Sequence, residues 1–480
     1  MTVGSASLQF LVYAFAVVLV FNFNRSVAWR QFVLLAASVG FLGFFSLHPL
    51  AFVPLAAFLT YGFASLRLMQ AKKTNLYAPL LILGIVAFMW LKKYAFIPAA
   101  LFLHHPYLTL GLSYIFFRVL HLIIDARNGD LPPNISLVSY LNYLLNFTTL
   151  LSGPIQRYED FAAMQLAPTP LPLNVIVAGE ALERIIVGFF KVNVLSLFLS
   201  MIQTSALASL TPNGPATARI LNGATIAAIY PLYLYCNFSG YIDIVIGIAR
   251  FLRIELPENF NRPFASDNFI TFWSRWHITL STWLKTYVYN PLLIVTMRRW
   301  PSPAVEPFLG VFAFFVTFFL IGVWHGQTSV FIFFGVLQGL GVSVTKLYQI
   351  LMAKWIGRKQ YKELARNGLY NVATRGLTFT WFAFTLLWFW SNWKQLGALV
   401  LSFHAGEIAL DWLLIFVGSS VVLAIWEVMR EWLLAFQFEG QPLLLSRYVR
   451  TAWNTTLVVI SIGTITLLNA PPPDIVYKTF

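Results

Sequence analysis

Apolar residues in this chain fall in long blocks rather than on one face of an element. Leu8 to Phe21, Gln31 to Leu47, Tyr77 to Leu91, Val305 to Val323, Val330 to Leu347 and Leu377 to Trp390 are such blocks. A helix that is hydrophobic all round belongs in lipid, and about 20 apolar residues cross a hydrocarbon core. Backbone polar groups find no water there, so spans of this length are helical. The pattern predicts an all-α polytopic membrane protein with about eleven spans, their borders blurred by Pro and Gly. No soluble domain, low-complexity tract or clear repeat interrupts it, so residues 1–480 read as a single membrane domain.

One stretch breaks the pattern. From Asp243 to Arg299 charges become denser while aromatics stay dense. Polar groups kept among aromatics at membrane depth mark a functional segment. Pro257 and Pro263 end any helix between them. Asp267 or Asn268 is placed to cap a new one. From there Phe269, Trp273, Trp276, Leu280, Trp283 and Tyr287 recur at spacings of four and three, which predicts one apolar stripe on one helix. Ser274, Arg275, Ser281 and Lys285 fall on the opposite face, with His277 on the border. Such a helix is too polar for lipid, so it is expected to be buried, re-entrant or interfacial.

Composition sharpens the membrane reading. Hydrophobic residues make up 59% of the chain and charged residues 10%, with a mean hydropathy of +0.72. Soluble domains carry roughly 25% charged residues, more than twice this share. The net charge of +14 does not imply a nucleic-acid partner. The bases cluster in short loops, at Arg67, Lys72 and Lys73, at Arg298 and Arg299, and in a run from Lys354 through Arg358, Lys359, Lys362 and Arg366 to Arg375. Cytoplasmic loops facing anionic headgroups account for them. Arg25 and Arg30 follow the first apolar block, which places the N-terminus outside and this first loop in the cytoplasm. The N-terminal segment has no basic n-region or small-residue cleavage site and is not read as a signal peptide. The single cysteine, Cys236, excludes an internal disulfide and a cysteine-based metal cluster.

Candidate chemistry rests on two of the seven histidines. Gly322-Val-Trp-His-Gly-Gln-Thr-Ser329 lies between two apolar blocks whose far ends are both basic. The chain therefore goes out and returns, leaving His325 near the turn and far from the cytoplasmic loops. Gly322 and Gly326 allow close backbone approach there. His277 belongs to the polar segment. Taken alone, each is more often a hydrogen-bonded packing residue than a catalyst. The same bland reading is preferred for His121, which shares an apolar run with Arg118 and Asp125. His48, His104, His105 and His404 read as span ends or loops. A neutral imidazole beside a hydroxyl fits a general base for acyl transfer from a thioester. There is no HExxH, GxSxG or Walker pattern, and no metal is expected.

Six motifs in order resemble the membrane-bound O-acyltransferase family, its bacterial branch in particular. They are Ser152-Gly-Pro-Ile-Gln-Arg-Tyr-Glu-Asp-Phe161, Gly188-Phe-Phe-Lys191, Phe238-Ser-Gly-Tyr-Ile-Asp243, Leu256-Pro-Glu-Asn-Phe-Asn-Arg-Pro263, Phe272-Trp-Ser-Arg-Trp-His-Ile-Thr-Leu-Ser281 and Gly322-Val-Trp-His-Gly326. The motif-bearing core covers residues 108–350. The resemblance implies a ring of helices, with re-entrant or interfacial ones, around a central tunnel. It assigns catalysis to His325 and His277. Trp324, Trp276, Arg275, Asn261, Ser239, Asp243 and Glu258 become tunnel or supporting residues. For Asp243 and Glu258 a purely structural role, fixing backbone and helix ends, is the preferred alternative. The implied donor is a cytoplasmic acyl-CoA or acyl-carrier-protein thioester, with no bound cofactor. The implied acceptor is an extracytoplasmic hydroxyl, on a cell-envelope polysaccharide or a relay acyltransferase, at the bacterial cytoplasmic membrane and in contact with its lipid. Asn237 stands where alginate-type members have aspartate, and Leu292-Leu-Ile-Val-Thr-Met-Arg-Arg299 is more similar to the teichoic-acid branch. A transporter or flippase, and a catalytically silent scaffold of an envelope complex, remain as alternatives.

Overall fold

The computed structural model describes residues 7–404, 406–438, 441–442 and 446–468. These are helical throughout, apart from short connections and a pairing of Gln437–Phe438 with Gln441–Pro442. Among the described residues eight helices are long and apolar enough to cross a membrane, not about eleven. Two of the eight are very long: Val175–Ser209 has 35 residues and Ala216–Phe251 has 36. The first continues through a π-helical turn, Lys191–Ser196. The second carries Pro231 in its interior without ending there. Polar or proline interruptions therefore do not divide apolar runs as a reading of the sequence suggests. Leu8–Asn22 and Val27–Gly43 are shorter apolar helices, and the Gly368–Trp390 helix, which contains the expected Leu377 to Trp390 block, falls outside the eight.

The chain divides into two compact units. Among the described residues, the first comprises 7–193 and 238–257, and the second comprises 194–237 and those from 258 to 468.

The first unit holds a buried stretch that is not helical. Residues 146–156, between the Leu137–Leu145 and Tyr158–Gln165 helices, are buried throughout. Backbone polar groups at such depth need partners. Arg118, 1% exposed, supplies several. Its guanidinium donates to the carbonyls of Tyr143 (3.1 Å), Leu144 (3.0 Å) and Thr149 (3.1 Å), and to the Thr149 hydroxyl (2.6 Å). Arg30 acts similarly. It is not a loop residue but lies buried on the Val27–Gly43 helix, donating to the carbonyls of Met164 and Ala167. Its charge serves the fold as a backbone staple, which a count of loop charges does not detect.

In the second unit the Glu306–His325 and Ser329–Trp355 helices form a tight hairpin. A Cβ added to Gly322 would collide with the backbone of Gly335, so glycine is what lets these helices touch. Ser343 donates to the carbonyl of Val311 at 3.0 Å across the same interface. Gln338 on the second helix of the hairpin donates to the Thr385 hydroxyl of the Gly368–Trp390 helix at 2.8 Å. Arg219 forms a buried two-pronged pair with Glu407 (2.9 and 2.5 Å). The basic run from Lys354 to Arg375 is not an open loop, because it contains a further helix, Arg358–Leu364.

Candidate active site

The polar segment does not form one helix. Asn268 caps Phe269–Trp273, its side-chain oxygen accepting from the Thr271 N–H at 2.8 Å. The helix then stops, and a second one, Ile278–Leu284, begins after His277. A π-helical turn, Lys285–Tyr289, leads into Asn290–Arg299. The stripe predicted from spacing is thus broken at its centre.

The cause is the Pro-flanked segment before it. Phe260 and Trp276 pair as an antiparallel bridge. The Asn261 N–H donates to the Arg275 carbonyl (2.9 Å), and the Ile278 N–H to the Asn259 carbonyl (3.0 Å). The Asn259 side-chain oxygen accepts from the Thr279 N–H (3.1 Å) and hydroxyl (2.7 Å). Asn259, fully buried, thereby caps the second helix from outside the local sequence. His277 is forced into the left-handed region, at φ 46° and ψ 53°, a conformation that costs a non-glycine residue about 1 kcal/mol or more. Trp276 anchors the turn. Its ring stacks on Phe272 (5.6 Å) and meets Phe260 (5.1 Å) and Phe382 (5.0 Å) edge-on.

His325 is the last residue of the Glu306–His325 helix and is 1% exposed. Its ring lies 4.7 Å from that of Trp324, 5.2 Å from Phe389 and 5.9 Å from Phe334. Phe331 fills the space that a side chain at Gly326 would need. So Gly326 admits a ring, whereas Gly322 admits backbone. His277 is also fully buried and lies near enough to His325 for a charge on one to act on the other. The fold thus brings together two histidines 48 positions apart in the chain.

A cavity of about 260 Å³ lies against the same helices, with neither histidine in its lining. Ile278, next to His277, and Ile321, one turn before His325, both line it. Ser274, Ser281 and Lys285, assigned from spacing to the polar face, line it too.

The other expected residues divide. Trp324, Trp276 and Arg275 belong to the turns just described. Asn261 and Glu258 are exposed, and Asn261 contributes through its backbone. Ser239 and Asp243 belong to the first unit. Asp243 there accepts from Arg184 (3.0 Å) and Lys191 (2.7 Å). Ser239 is buried. Sequence reasoning overlooked Asn259 as an individual, although it quoted the motif around it. The aromatic walls Phe334, Phe382 and Phe389 were also missed, since nothing in an apolar block distinguishes a residue facing a histidine from one facing lipid. Among the described residues no group of three or more His, Cys, Asp or Glu side chains converges.

Two buried histidines thus stand at helix ends within a multi-pass helical protein. The sequence pattern of the membrane-bound O-acyltransferase family matches residues 130–389, more than half of the chain, and the protein belongs to that family. It is therefore an acyltransferase of the multi-pass type. It is 29% identical over 286 residues to the teichoic acid D-alanyltransferase of Bacillus subtilis, a match covering 58% of this chain and 69% of that protein. It is 31% identical over 240 residues to the teichoic acid D-alanyltransferase of Streptococcus thermophilus, covering 49% of this chain and 56% of the relative. Against a probable alginate O-acetylase of Pseudomonas syringae it is 30% identical over 258 residues, covering 52% and 46%. The chain thus spans about half the length of these last two relatives. All three relatives are bacterial, and the chain is a multi-pass protein of the bacterial cytoplasmic membrane.

Proposed function

We propose that the protein transfers an acyl group from a cytoplasmic thioester to a hydroxyl on an extracytoplasmic cell-envelope acceptor or relay protein, with His325 as general base. The observation that supports this reading is that His325 and His277 are both buried and within electrostatic reach of each other, at motifs that resemble the family's. In this reaction the acceptor oxygen attacks the thioester carbonyl while His325 takes the hydroxyl proton. The new C–O bond forms, the C–S bond breaks, and the proton passes to the departing sulfur. A general base in such a step contributes about 10²- to 10⁴-fold. His277 polarises or orients, and its rigid turn holds the ring in place. The aromatic walls exclude water, which would otherwise compete as acceptor.

The donor in this reading reaches the histidines through a tunnel enclosed by the helices. Basic loops suit an anionic acyl-CoA or acyl-carrier-protein donor. The likeness to proteins named for teichoic acid D-alanylation and alginate O-acetylation supports an envelope polymer as the final acceptor.

The test is His325→Ala in membranes supplied with radiolabelled acyl thioester. Label transfer falls by about 10³-fold while the protein remains folded by gel filtration. Unchanged transfer from folded His325→Ala protein would remove the mechanism and favour a scaffold role. Parallel assays with acyl-CoA and with loaded carrier protein identify the donor.

A further inference from the structure

A second cavity in the second unit, of about 650 Å³, is not used by this chemistry. On the Ser329–Trp355 helix its lining begins at Leu340, roughly 16 Å of helix beyond Ser329 and the His325 turn. Its walls are apolar, with Leu340, Val344, Leu377, Trp381 and Phe416 facing inward. Val344 and Leu377 are each 60% exposed, so the groove opens sideways toward the hydrocarbon. One end is polar. There the hydroxyls of Tyr348 and Tyr370 lie 3.1 Å apart, and Tyr361 of the Arg358–Leu364 helix completes the rim.

That short helix gives the rim its charge. Arg358, Lys359 and Lys362 on it and Arg366 just after it are all exposed. From Arg358 to Arg366 the chain carries these four bases and one acid, Glu363, while Asp267 is the charged residue in the lining itself. Trp355 and Leu369, on either side of this helix, are 81% and 84% exposed, as expected of residues seated at a membrane interface. An apolar groove open to lipid, ending in tyrosine hydroxyls and surplus bases at the interface, matches an anionic amphiphile from end to end.

We infer that this groove is a binding site for an anionic phospholipid, one acyl chain lying in the groove and the phosphate among Lys359, Lys362, Arg366 and the tyrosine hydroxyls. Asn268 and Phe269 also line the cavity, and Asn268 caps the short helix that leads to the His277 turn. A bound chain therefore touches the start of the Phe269–Trp273 helix, which precedes the His277 turn. The site does not depend on the catalytic role of His325, and its readout is binding rather than transfer.

The test uses the full purified chain with equal phosphatidylglycerol and phosphatidylethanolamine of identical acyl chains, retained lipid being counted by native mass spectrometry. The expected result is one tightly held phosphatidylglycerol, preferred about tenfold. Ala373→Trp, at an exposed groove-lining position, fills the groove and lowers its retention about fivefold or more. The triple variant Lys359→Glu, Lys362→Glu, Arg366→Glu keeps lipid uptake but abolishes the preference. Equal retention of the two lipids by wild type overturns the proposal, as does retention untouched by Ala373→Trp in folded protein. Displacement of the phospholipid by acyl-CoA, with no anionic-lipid preference, would reassign the groove to the donor and also overturn it. Should one variant fail to fold, the other and the wild-type competition still decide.

Discussion

His121 in the first unit and the His277–His325 pair in the second are equally buried, yet their surroundings differ in kind. His121 meets the Tyr143 hydroxyl at 3.3 Å, beside an arginine that satisfies four backbone and side-chain oxygens. Its neighbourhood exists to pay for a non-helical loop at depth. Around His277 and His325 the backbone is already satisfied by helices and by Asn259. There the His325 ring meets Trp324, Phe334 and Phe389, and His277 lies within electrostatic reach. Burial of a histidine in a membrane protein therefore says little. Convergence with a second titratable group says more.

The largest expected effect tests that contrast directly. His325→Ala abolishes transfer per folded molecule, by about 10³-fold, whereas His121→Ala acts through the fold. It lowers yield and thermal midpoint, by about 1–3 kcal/mol of stability, while surviving protein keeps transfer within about threefold. Equal losses of transfer per folded molecule would erase the distinction between the two regions.

A smaller effect is expected at His277, and two variants separate chemistry from strain. His277→Ala and His277→Asn each lower transfer about 10²-fold, a large but incomplete loss. Asparagine tolerates the left-handed conformation better than alanine. His277→Asn is therefore more stable than His277→Ala by up to about 1 kcal/mol in thermal unfolding. Activity that follows stability rather than the loss of the ring would make His277 structural, like His121.

Asn259→Ala comes next. It removes both side-chain bonds to Thr279 and frees the turn that carries His277. Transfer falls about tenfold through kcat with little change in KM, as for a positioning residue. Asn259→Asp, which keeps the acceptor, recovers part of the rate. A change confined to KM would show that Asn259 acts on binding instead.

The smallest effect lies in the first unit. Lys92, just past the Thr74–Leu91 helix, is 5% exposed, and burial lowers its pKa to about 8. The free value is roughly 10.4, so between these values the unfolded chain binds more protons than the folded one. Stability therefore rises with pH across that window. Lys92→Met is expected to raise the thermal midpoint at pH 7 and to flatten its rise between about pH 8 and 10. An unchanged pH profile would show that Lys92 is solvated.

Much of this was legible in the chain itself. The Tyr77–Leu91 helix matches its apolar block residue for residue, because a run of apolar residues in lipid has no other way to satisfy its backbone. The His325 turn fell between two such blocks for the same reason. The polar segment misled. Spacing of four and three fits a continuous helix, and from Phe269 to Tyr287 nothing local contradicts one. The break is imposed from the Asn259–Asn261 backbone, 14 or more positions away, and periodicity carries no information about such a partner. Arg30 misled likewise, since a staple and a loop charge look identical until the carbonyls it serves are in place.

The sequence by itself determined the solvent of this protein, its helical form and, through six ordered motifs, its family. These follow from composition and local order, which survive without contacts. Tertiary structure decided that His277 and His325 lie within electrostatic reach of each other, that Asp243 is held by two cations, and that an apolar groove lies against the Arg358–Leu364 helix. Each depends on side chains distant in sequence arriving at one place, and only the folded chain specifies that.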